Sequence, residues 1–402
     1  MKSGFVITLG LLTAVAALTV DLSLPAIPGM AEALGTSLSR GQQIVGVFMA
    51  GMAFGQIPAG LLADRNGRLP ILYIGLAIFS AAAVVAAVTG TIELMLLARF
   101  VQGFGAAFSI VLSRAIVRDV SSGKDAARLM SLMTMIFTAA PVIAPSIGAL
   151  LLTIWDWRMP FIVIAGCGFA MIVTTRTFLV ETHTPNIDGH PIRQLRSSFA
   201  EFFSHRQSVF ALLLLTLPSA GFMSVIAISS ALVVEIYDYS VQQYGLIFAC
   251  AGLSILAGSA LNRYLVTRFE LMTCIKIGVV LIATSGIQLL IMAWFDAAPF
   301  WWLWSSVCLF MFTIAILMAN ATVLALDPLP KIAGVASSII GTFGNVAGAI
   351  GALLGAIIYD GTVRNSVIII GVIGASVTAI YLMKPLICPT PLVHHPDELA
   401  RD

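Results

Sequence analysis

Charged residues are scarce in this chain of 402 residues. They make up 10% of it, whereas 59% of the residues are hydrophobic. Soluble domains usually carry about 25% charged residues. So few charges cannot cover a water-facing surface, which excludes an ordinary soluble protein and indicates that lipid surrounds most of the chain. The formal net charge of +2 is too small to indicate a nucleic-acid partner.

Cysteine and histidine are also rare, with five of each. The cysteines form no CxxC pair, so they predict small buried side chains and neither a disulfide framework nor a metal site. No histidine falls deep within an apolar run, which argues against an intramembrane enzyme. The absence of a Walker-type phosphate loop argues against direct use of ATP.

Apolar stretches of about 20 residues, the length that crosses a bilayer, recur along the whole chain. We interpret the first as a retained span and not as a signal peptide, because no small-residue cleavage site clearly ends it. The sequence therefore predicts an all-α integral membrane protein with twelve transmembrane helices. The predicted spans are about 4–28, 41–62, 70–90, 92–115, 126–153, 159–180, 208–234, 242–264, 271–294, 300–325, 332–358 and 364–386.

The spans fall into two sets of six that echo each other. GQQIVGVF at 41–48 is similar to VQQYGLIF at 241–248, and the GLLADR segment is echoed 198 residues later by GSALNR. Repeats of this kind are typical of secondary transporters, whose binding site lies between the repeats. The predicted domains are an N-terminal six-helix bundle at 1–180, a cytoplasmic linker at 181–207, a C-terminal six-helix bundle at 208–387 and a cytoplasmic tail at 388–402.

The basic residues are distributed unevenly between the two sides of this map. Of the 21 Lys and Arg residues, only Arg40, Arg158 and Arg364 fall on the side opposite the N-terminus, and Arg99 lies within a span. Cytoplasmic loops carry such an excess of positive charge. The sequence therefore predicts a multi-pass protein of the inner (cytoplasmic) membrane with both termini in the cytoplasm.

Two charges stand out within the spans, Asp21 in span 1 and Arg99 in span 4. Charges in the hydrocarbon core are costly and mark candidate functional sites. Each lies about seven residues, or roughly 10 Å, from the predicted outer end of its span, so both could face one cavity. A carboxyl group that is desolvated and close to a guanidinium can load and release a proton. The alternative is a static ion pair between spans 1 and 4.

The loop after span 2 reads GLLADRNGRLP at 60–70. Gly67 allows a tight turn, and Asp64 can cap a helix or pair with Arg65, Arg68 or a neighbouring helix. We interpret this loop as a latch for one conformation, the alternative being an ordinary charged turn.

RAIVRD at 114–119 follows span 4. Arg114 and Arg118 are four residues apart and share a helix face. They either pair with Asp64 or Asp119, or extend to the membrane interface.

Span 5 contains APVIAPSIGAL at 140–150. Pro141 and Pro145 remove backbone hydrogen bonds and Gly148 permits close helix approach, which favours a bent gating helix over a kink made only for packing. In spans 10 and 11, Asn320 and Asn345 either line a cavity or bridge helices.

The order of these motifs resembles that of the major facilitator superfamily. The finer similarity is to its twelve-helix drug:proton antiporters, in the bicyclomycin-resistance (Bcr/CflA) branch. The resemblance covers about 15–360 and implies the major facilitator fold of two pseudo-symmetric six-helix bundles. It is carried by DLSLPAIP (21–28), GLLADRNGR (60–68), RFVQGFGAA (99–107), RAIVRD (114–119), APVIAPSIGA (140–149) and ANATVLALDPLPKIAG (319–334).

By this resemblance, Asp21 matches the acidic residue of the first helix, and Arg99, with Gln102 in the same motif, matches the arginine of the fourth. The gating-loop motif is matched by Gly60, Asp64, Arg65, Gly67 and Arg68. The antiporter motif of helix 5 is matched by Pro141, Pro145 and Gly148. Ser23 stands where the branch often has tyrosine.

The resemblance implies a proton-coupled exporter of small amphipathic drug-like compounds that works by alternating access. Its expected partners are a small-molecule substrate, protons and the bilayer, with the proton gradient as energy source, no cofactor and no metal, and the expected state is a monomer. The alternative is a metabolite exporter, or a nutrient or siderophore importer, on the same fold.

Overall fold

The computed structural model describes residues 3–121, 123–182, 191–295 and 298–388, and these contain helices but no strand. Twelve helices have 20 residues or more, and we number them α1 to α12. They are Ser3–Ser23, Leu38–Asn66, Arg68–Val88, Ile92–Val120, Gly123–Leu151, Met159–Phe178, Arg206–Ala231, Val241–Leu265, Leu271–Trp294, Phe300–Leu326, Ala333–Ile358 and Val363–Leu382.

Eleven of these helices are long and apolar enough to cross a membrane, some together with the short segments that continue them. In α5 the described side chains form a shorter apolar stretch, Val142–Leu151. The predicted all-α membrane architecture with twelve long helices is confirmed.

Hydroxyl side chains cap several helices where the apolar runs begin. Ser37 and Thr91 each accept a hydrogen bond from the backbone N–H three residues later, at the starts of α2 and α4. At α8, Ser240 and Gln243 form a reciprocal capping box. These bonds satisfy N–H groups that have no partner within the helix.

The first predicted span, 4–28, is divided in the structure. Helix α1 ends at Ser23, a 3-10 turn follows at Leu24–Ala26, and a short helix continues at Ile27–Ala33. The break follows from Pro25, which has no N–H to continue the α-helical hydrogen bonds.

The predicted linker, 181–207, contains a helix at Pro191–Ser204, and α7 already begins at Arg206. Phe202 of this linker helix is fully buried in a cluster with Leu212 and Ile339. The linker helix therefore packs on α7 and α11.

Helices α2 and α4 are longer than their predicted spans, with 29 residues each. At 1.5 Å per residue they are about 43 Å long, against about 30 Å of hydrocarbon. The extra turns carry charged residues, such as Asp64 and Asp119, beyond the apolar core.

The two sets of six helices pack by the same pattern. In the first set, α4 contacts α2 and α3, α1 contacts α4, α5 and α6, and α3 contacts α6. In the second set, α10 contacts α8 and α9, α7 contacts α10, α11 and α12, and α9 contacts α12, which are the corresponding pairs. The chain therefore forms two pseudo-symmetric six-helix bundles, an N-terminal bundle (α1–α6) and a C-terminal bundle (α7–α12).

Two antiparallel helix pairs, α2 with α11 and α5 with α8, form the seam between the bundles. Small residues bring them close together. A Cβ atom at Gly46 would lie 2.6 Å from Leu353 Cγ, and one at Gly252 would lie 2.9 Å from Val142 Cα.

Three hydrogen bonds cross the seam among residues with described side chains. The bonds run from Ser39 Oγ to Ala356 O at 2.5 Å, from Ser146 Oγ to Gly245 O at 3.0 Å, and from Thr342 Oγ1 to Gln56 Oε1 at 3.3 Å. The first two lie toward the predicted outer ends of the helices and the third lies near their middle. The predicted outer half of the seam is therefore closed.

Candidate functional site

Asp21 lies in the last turn of α1 and is 2% exposed. Within the described part of the chain, no group donates a hydrogen bond to its carboxyl group and no cation pairs with it. A charged carboxylate in such a place is costly, whereas the protonated form is tolerated much better. The position therefore favours a group that is neutral when enclosed and charged only when water reaches it.

Tyr244, in α8 of the C-terminal bundle, lies within electrostatic range of Asp21. The Tyr244 hydroxyl shares a 2.9 Å hydrogen bond with Ser229 Oγ of α7. Both Tyr244 and Ser229 are buried. The charge on Asp21 thus acts on a buried polar pair of the opposite bundle.

Arg99, in the third turn of α4, has no exposed surface. Its guanidinium donates to Gln102 Oε1 at 2.9 Å and makes longer contacts with Ser23 Oγ at 3.4 Å and Ile44 O at 3.5 Å. It also lies 4.7 Å from the centre of the Phe48 ring. Neutral acceptors and an aromatic face therefore hold this cation in place.

Asp21 and Arg99 are close in depth but form no ion pair in this structure. Ser23, two residues after Asp21, makes the contact with Arg99 instead. The static ion pair considered from the sequence is thus not the arrangement observed. Asp21 lies within electrostatic range of Tyr244 in the C-terminal bundle, and Arg99 is enclosed within the N-terminal one.

The loop between α2 and α3 is built around Arg68, which is 8% exposed. Its guanidinium pairs with Asp64, and its Nε donates to Asp119 Oδ2 of α4 at 2.9 Å. Gly67 has a φ of +93°, a conformation that favours glycine. A Cβ atom added at Gly60 would lie 3.9 Å from Val111 Cγ1, an ordinary van der Waals distance. Arg65 is exposed.

Arg114 and Arg118 are exposed and form no ion pair with Asp64 or Asp119. The pairing alternative considered from the sequence is therefore not observed. Arg68 takes that place, because it begins α3 directly between the ends of α2 and α4 and reaches both carboxylates.

In α5, Gly148 approaches the end of α1 so closely that a Cβ atom there would lie 2.4 Å from Leu22 O. Pro145 is buried, and its carbonyl faces Gly245 of α8. The side chain of Pro141 lies outside the described set. The antiporter-motif residues that can be placed thus lie where α5 meets both α1 and the opposite bundle.

The two asparagines of the C-terminal bundle are placed differently. Asn320 in α10 donates to Asn262 Oδ1 of α8 at 2.6 Å and to Ile316 O at 2.8 Å, so it bridges helices. Asn345 in α11 is half-buried on the helix that borders the seam, and no described residue hydrogen-bonds its side chain.

Comparison with known proteins decides the family. The model of the Major Facilitator Superfamily matches residues 9–352. The chain belongs to this superfamily. It is therefore a membrane transporter for a small-molecule substrate, and this major facilitator has the fold and the motif order expected from its sequence.

Among curated proteins, this major facilitator is 29% identical to the bicyclomycin resistance protein homolog of Haemophilus influenzae over 356 residues, which cover 88% of each chain. It is 28% identical to multidrug resistance protein D of Escherichia coli, covering 87% of each. Both relatives match over nearly the whole transporter.

Among solved structures, one match is a bacterial homolog of the human lysosomal transporter Spinster in an inward-facing, occupied conformation. Its TM-score is 0.76 at 16% identity, covering 98% of this chain and 100% of that one. A peptide transporter in complex with alafosfalin matches with a TM-score of 0.75 at 15% identity, covering 96% and 94%. At these identities the likeness concerns the fold alone.

Several residues that shape the site of this major facilitator were missed from the sequence. Glu181, at the start of the linker, accepts hydrogen bonds from the backbone N–H groups of Arg68 and Leu69. Tyr244 and Gln42 lie at the interface between the bundles. They fall within the two similar segments at 41–48 and 241–248. That similarity indicated duplication but did not predict where the two side chains lie.

Proposed function

We propose that this major facilitator is a proton-coupled exporter of small amphipathic drug-like compounds, in which Asp21 carries the proton. The export of drugs is supported by the two whole-length relatives, one named for bicyclomycin resistance and one for multidrug resistance. The observation that carries the mechanism is the position of Asp21, buried at the bundle interface without a hydrogen-bond partner among the described residues.

The proposed cycle follows from the cost of burying charge. When Asp21 is protonated, the bundles can close around it. When it loses the proton, the charge favours a state in which water or a polar substrate reaches it. Because a proton and a substrate then compete for one group, flow of protons inward drives substrate outward. The protein acts as a monomer in the inner membrane with both termini in the cytoplasm, and it needs no cofactor and no metal.

Arg99 has a positioning role in this proposal. Held by Gln102 and by α2, it supplies a fixed positive field near the end of α1 without direct contact with Asp21. Asn345, half-buried beside the seam, is a candidate for hydrogen bonding to substrate.

The test is transport by purified protein in proteoliposomes under an imposed pH gradient, with a panel of amphipathic drugs. We expect gradient-driven accumulation by the wild type, and loss of that accumulation with Asp21→Asn. The matched control is Asp156→Asn, at a surface aspartate in the loop after α5, which should transport like the wild type. Full gradient-driven accumulation by Asp21→Asn would contradict the role of Asp21. Gradient-driven uptake of a metabolite, with no drug transported, would contradict the substrate class and leave the coupling intact.

A further inference from the structure

Gln42 in α2 has no exposed surface, and neither atom of its side-chain amide has a hydrogen-bond partner among the described residues. Buried polar groups in proteins are nearly always paired. An amide that lost its water on burial without gaining a partner opposes the state in which it is buried. The state buried here is the closed form of the seam.

The position of Gln42 follows from the spacing of its neighbours. Residues of α2 separated by three or four positions share one face of the helix. The residues on the face of Gln42 that meet α11 are Ser39 at Ala356, Gly46 at Leu353, Met49 at Gly348 and Gln56 at Thr342. Gln42 lies on this stripe between Ser39 and Gly46 and therefore points into the seam.

The same antiparallel register identifies what lies at the level of Gln42. Because Ser39 meets Ala356 and Gly46 meets Leu353, Gln42 lies level with Gly355. A Cβ atom at Gly355 would lie 2.6 Å from Ser224 Oγ of α7. Ser224 is also fully buried, and its hydroxyl likewise has no hydrogen-bond partner among the described residues.

Each bundle thus contributes one unpaired polar side chain at the same level of the closed outer half. We propose that Gln42 and Ser224 set how readily this half of the seam opens. Their unpaired atoms destabilise the closed form and become hydrated when the bundles separate. They therefore lower the free energy needed to reach the outward-open state. The proposal rests on alternating access in the proposed function, but not on the identity of the substrate or of the coupled ion.

The experiment measures opening directly through the alkylation of a reporter cysteine. Ala352 of α11 has no exposed surface and shares the seam-facing stripe with Ala356. We place Ala352→Cys in a chain whose five native cysteines are replaced, and measure its reaction with a water-soluble maleimide in nanodiscs. In the closed form the reagent is excluded, so the rate reports the fraction of time that the seam is open.

Gln42→Met keeps the length of the side chain and removes the amide, and Ser224→Ala removes a single oxygen. We expect each to slow alkylation, Gln42→Met by about tenfold, since the closed form no longer contains the unpaired group. The matched control is Gln43→Met, one residue outside the stripe, which should leave the rate within twofold.

Faster alkylation, or a rate within twofold of the wild type for both Gln42→Met and Ser224→Ala, would overturn the proposal. If Gln42→Met does not fold, Ser224→Ala decides alone. The assay needs no substrate and no gradient. The alkylation rates would therefore mean the same even if the protein exported no drug. Unchanged alkylation rates in the variants would not contradict proton-coupled export.

Discussion

Glu181 accepts a hydrogen bond at 2.9 Å from the backbone N–H of Arg68, the first residue of α3. Its second carboxylate oxygen accepts the N–H of Leu69, also at 2.9 Å. The chain that leaves α6 thus caps the helix whose first side chain pairs with Asp64 and Asp119. These contacts join the ends of α2, α3, α4 and α6, so this end of the N-terminal bundle is held together as one unit.

Glu181→Gln should weaken that cap, because an amide nitrogen cannot accept a hydrogen bond and the charge that favours a helix N-terminus is lost. We expect a loss of about 1 kcal/mol in stability and faster hydrogen exchange at the amides of Arg68 and Leu69, measured by mass spectrometry. The control is Glu201→Gln, at a glutamate of the linker helix whose carboxylate makes no hydrogen bond to a described residue. Equal exchange in the two variants would show that the cap contributes nothing.

Gly51→Ala should force α2 away from α4. A Cβ atom at Gly51 would lie 2.0 Å from Phe100 O, a backbone atom that cannot move aside. Overpacking of this kind costs roughly 1–3 kcal/mol, so we expect a lower unfolding midpoint in detergent, followed by tryptophan fluorescence. Gly166→Ala in α6 is the matched control, since nothing lies within 4 Å of its added Cβ atom. A similar unfolding midpoint for both variants would mean that the α2–α4 contact accommodates the added methyl group without loss of stability.

Arg99→Lys preserves the charge but not the geometry. A lysine ammonium is a compact charge and cannot reach Gln102, Ser23 and the Ile44 carbonyl at once. We expect a loss of about 2 kcal/mol or more, because hydrogen bonds to a buried charge are lost, together with loss of transport.

The control for Arg99→Lys is Arg158→Lys, at a partly exposed arginine that pairs with Asp156 at 2.9 Å in a loop. Exposed pairs contribute about 0–1 kcal/mol, so this change should alter stability and transport very little. Wild-type stability and transport in Arg99→Lys would show that any buried cation serves at this position.

Asp360, before α12, gives stability a dependence on pH outside the membrane. The hydroxyl of Thr362 donates to its carboxylate at 2.6 Å, and Asn365 Nδ2 donates at 2.8 Å. The Thr362 hydrogen bond holds the pKa of Asp360 below its ordinary value of 3.8. A carboxyl group whose pKa is lowered on folding stabilises the protein above its ordinary pKa, and this contribution is lost as the pH falls through the lowered value.

Asp360→Asn should therefore be less stable than the wild type at pH 7, and the difference should shrink as the pH falls below about 4. The measurement is the unfolding midpoint of both proteins from pH 7 to pH 3. A difference that stays constant over this range would mean that the negative charge of Asp360 adds nothing to the cap of α12.

The sequence alone determined what depends on local composition. Apolar runs long enough to cross a bilayer predicted twelve helices, because lipid requires each span to satisfy its own backbone. The order of short motifs carried the family, and the rarity of charge within the runs made Asp21 and Arg99 conspicuous. The break of α1 near Pro25 could also have been predicted from the local sequence, although our predicted span continued to residue 28.

Only the tertiary structure decided which residues meet. Arg68 pairs with Asp119, where the sequence had suggested Arg114 or Arg118, and Ser23 reaches Arg99, where it had suggested Asp21. Such contacts depend on the rotation and axial position of helices that are distant in sequence. Those are set by close approaches such as that of Gly51 to the backbone of Phe100, so a shift of one residue along a helix would turn Gln42 away from the seam.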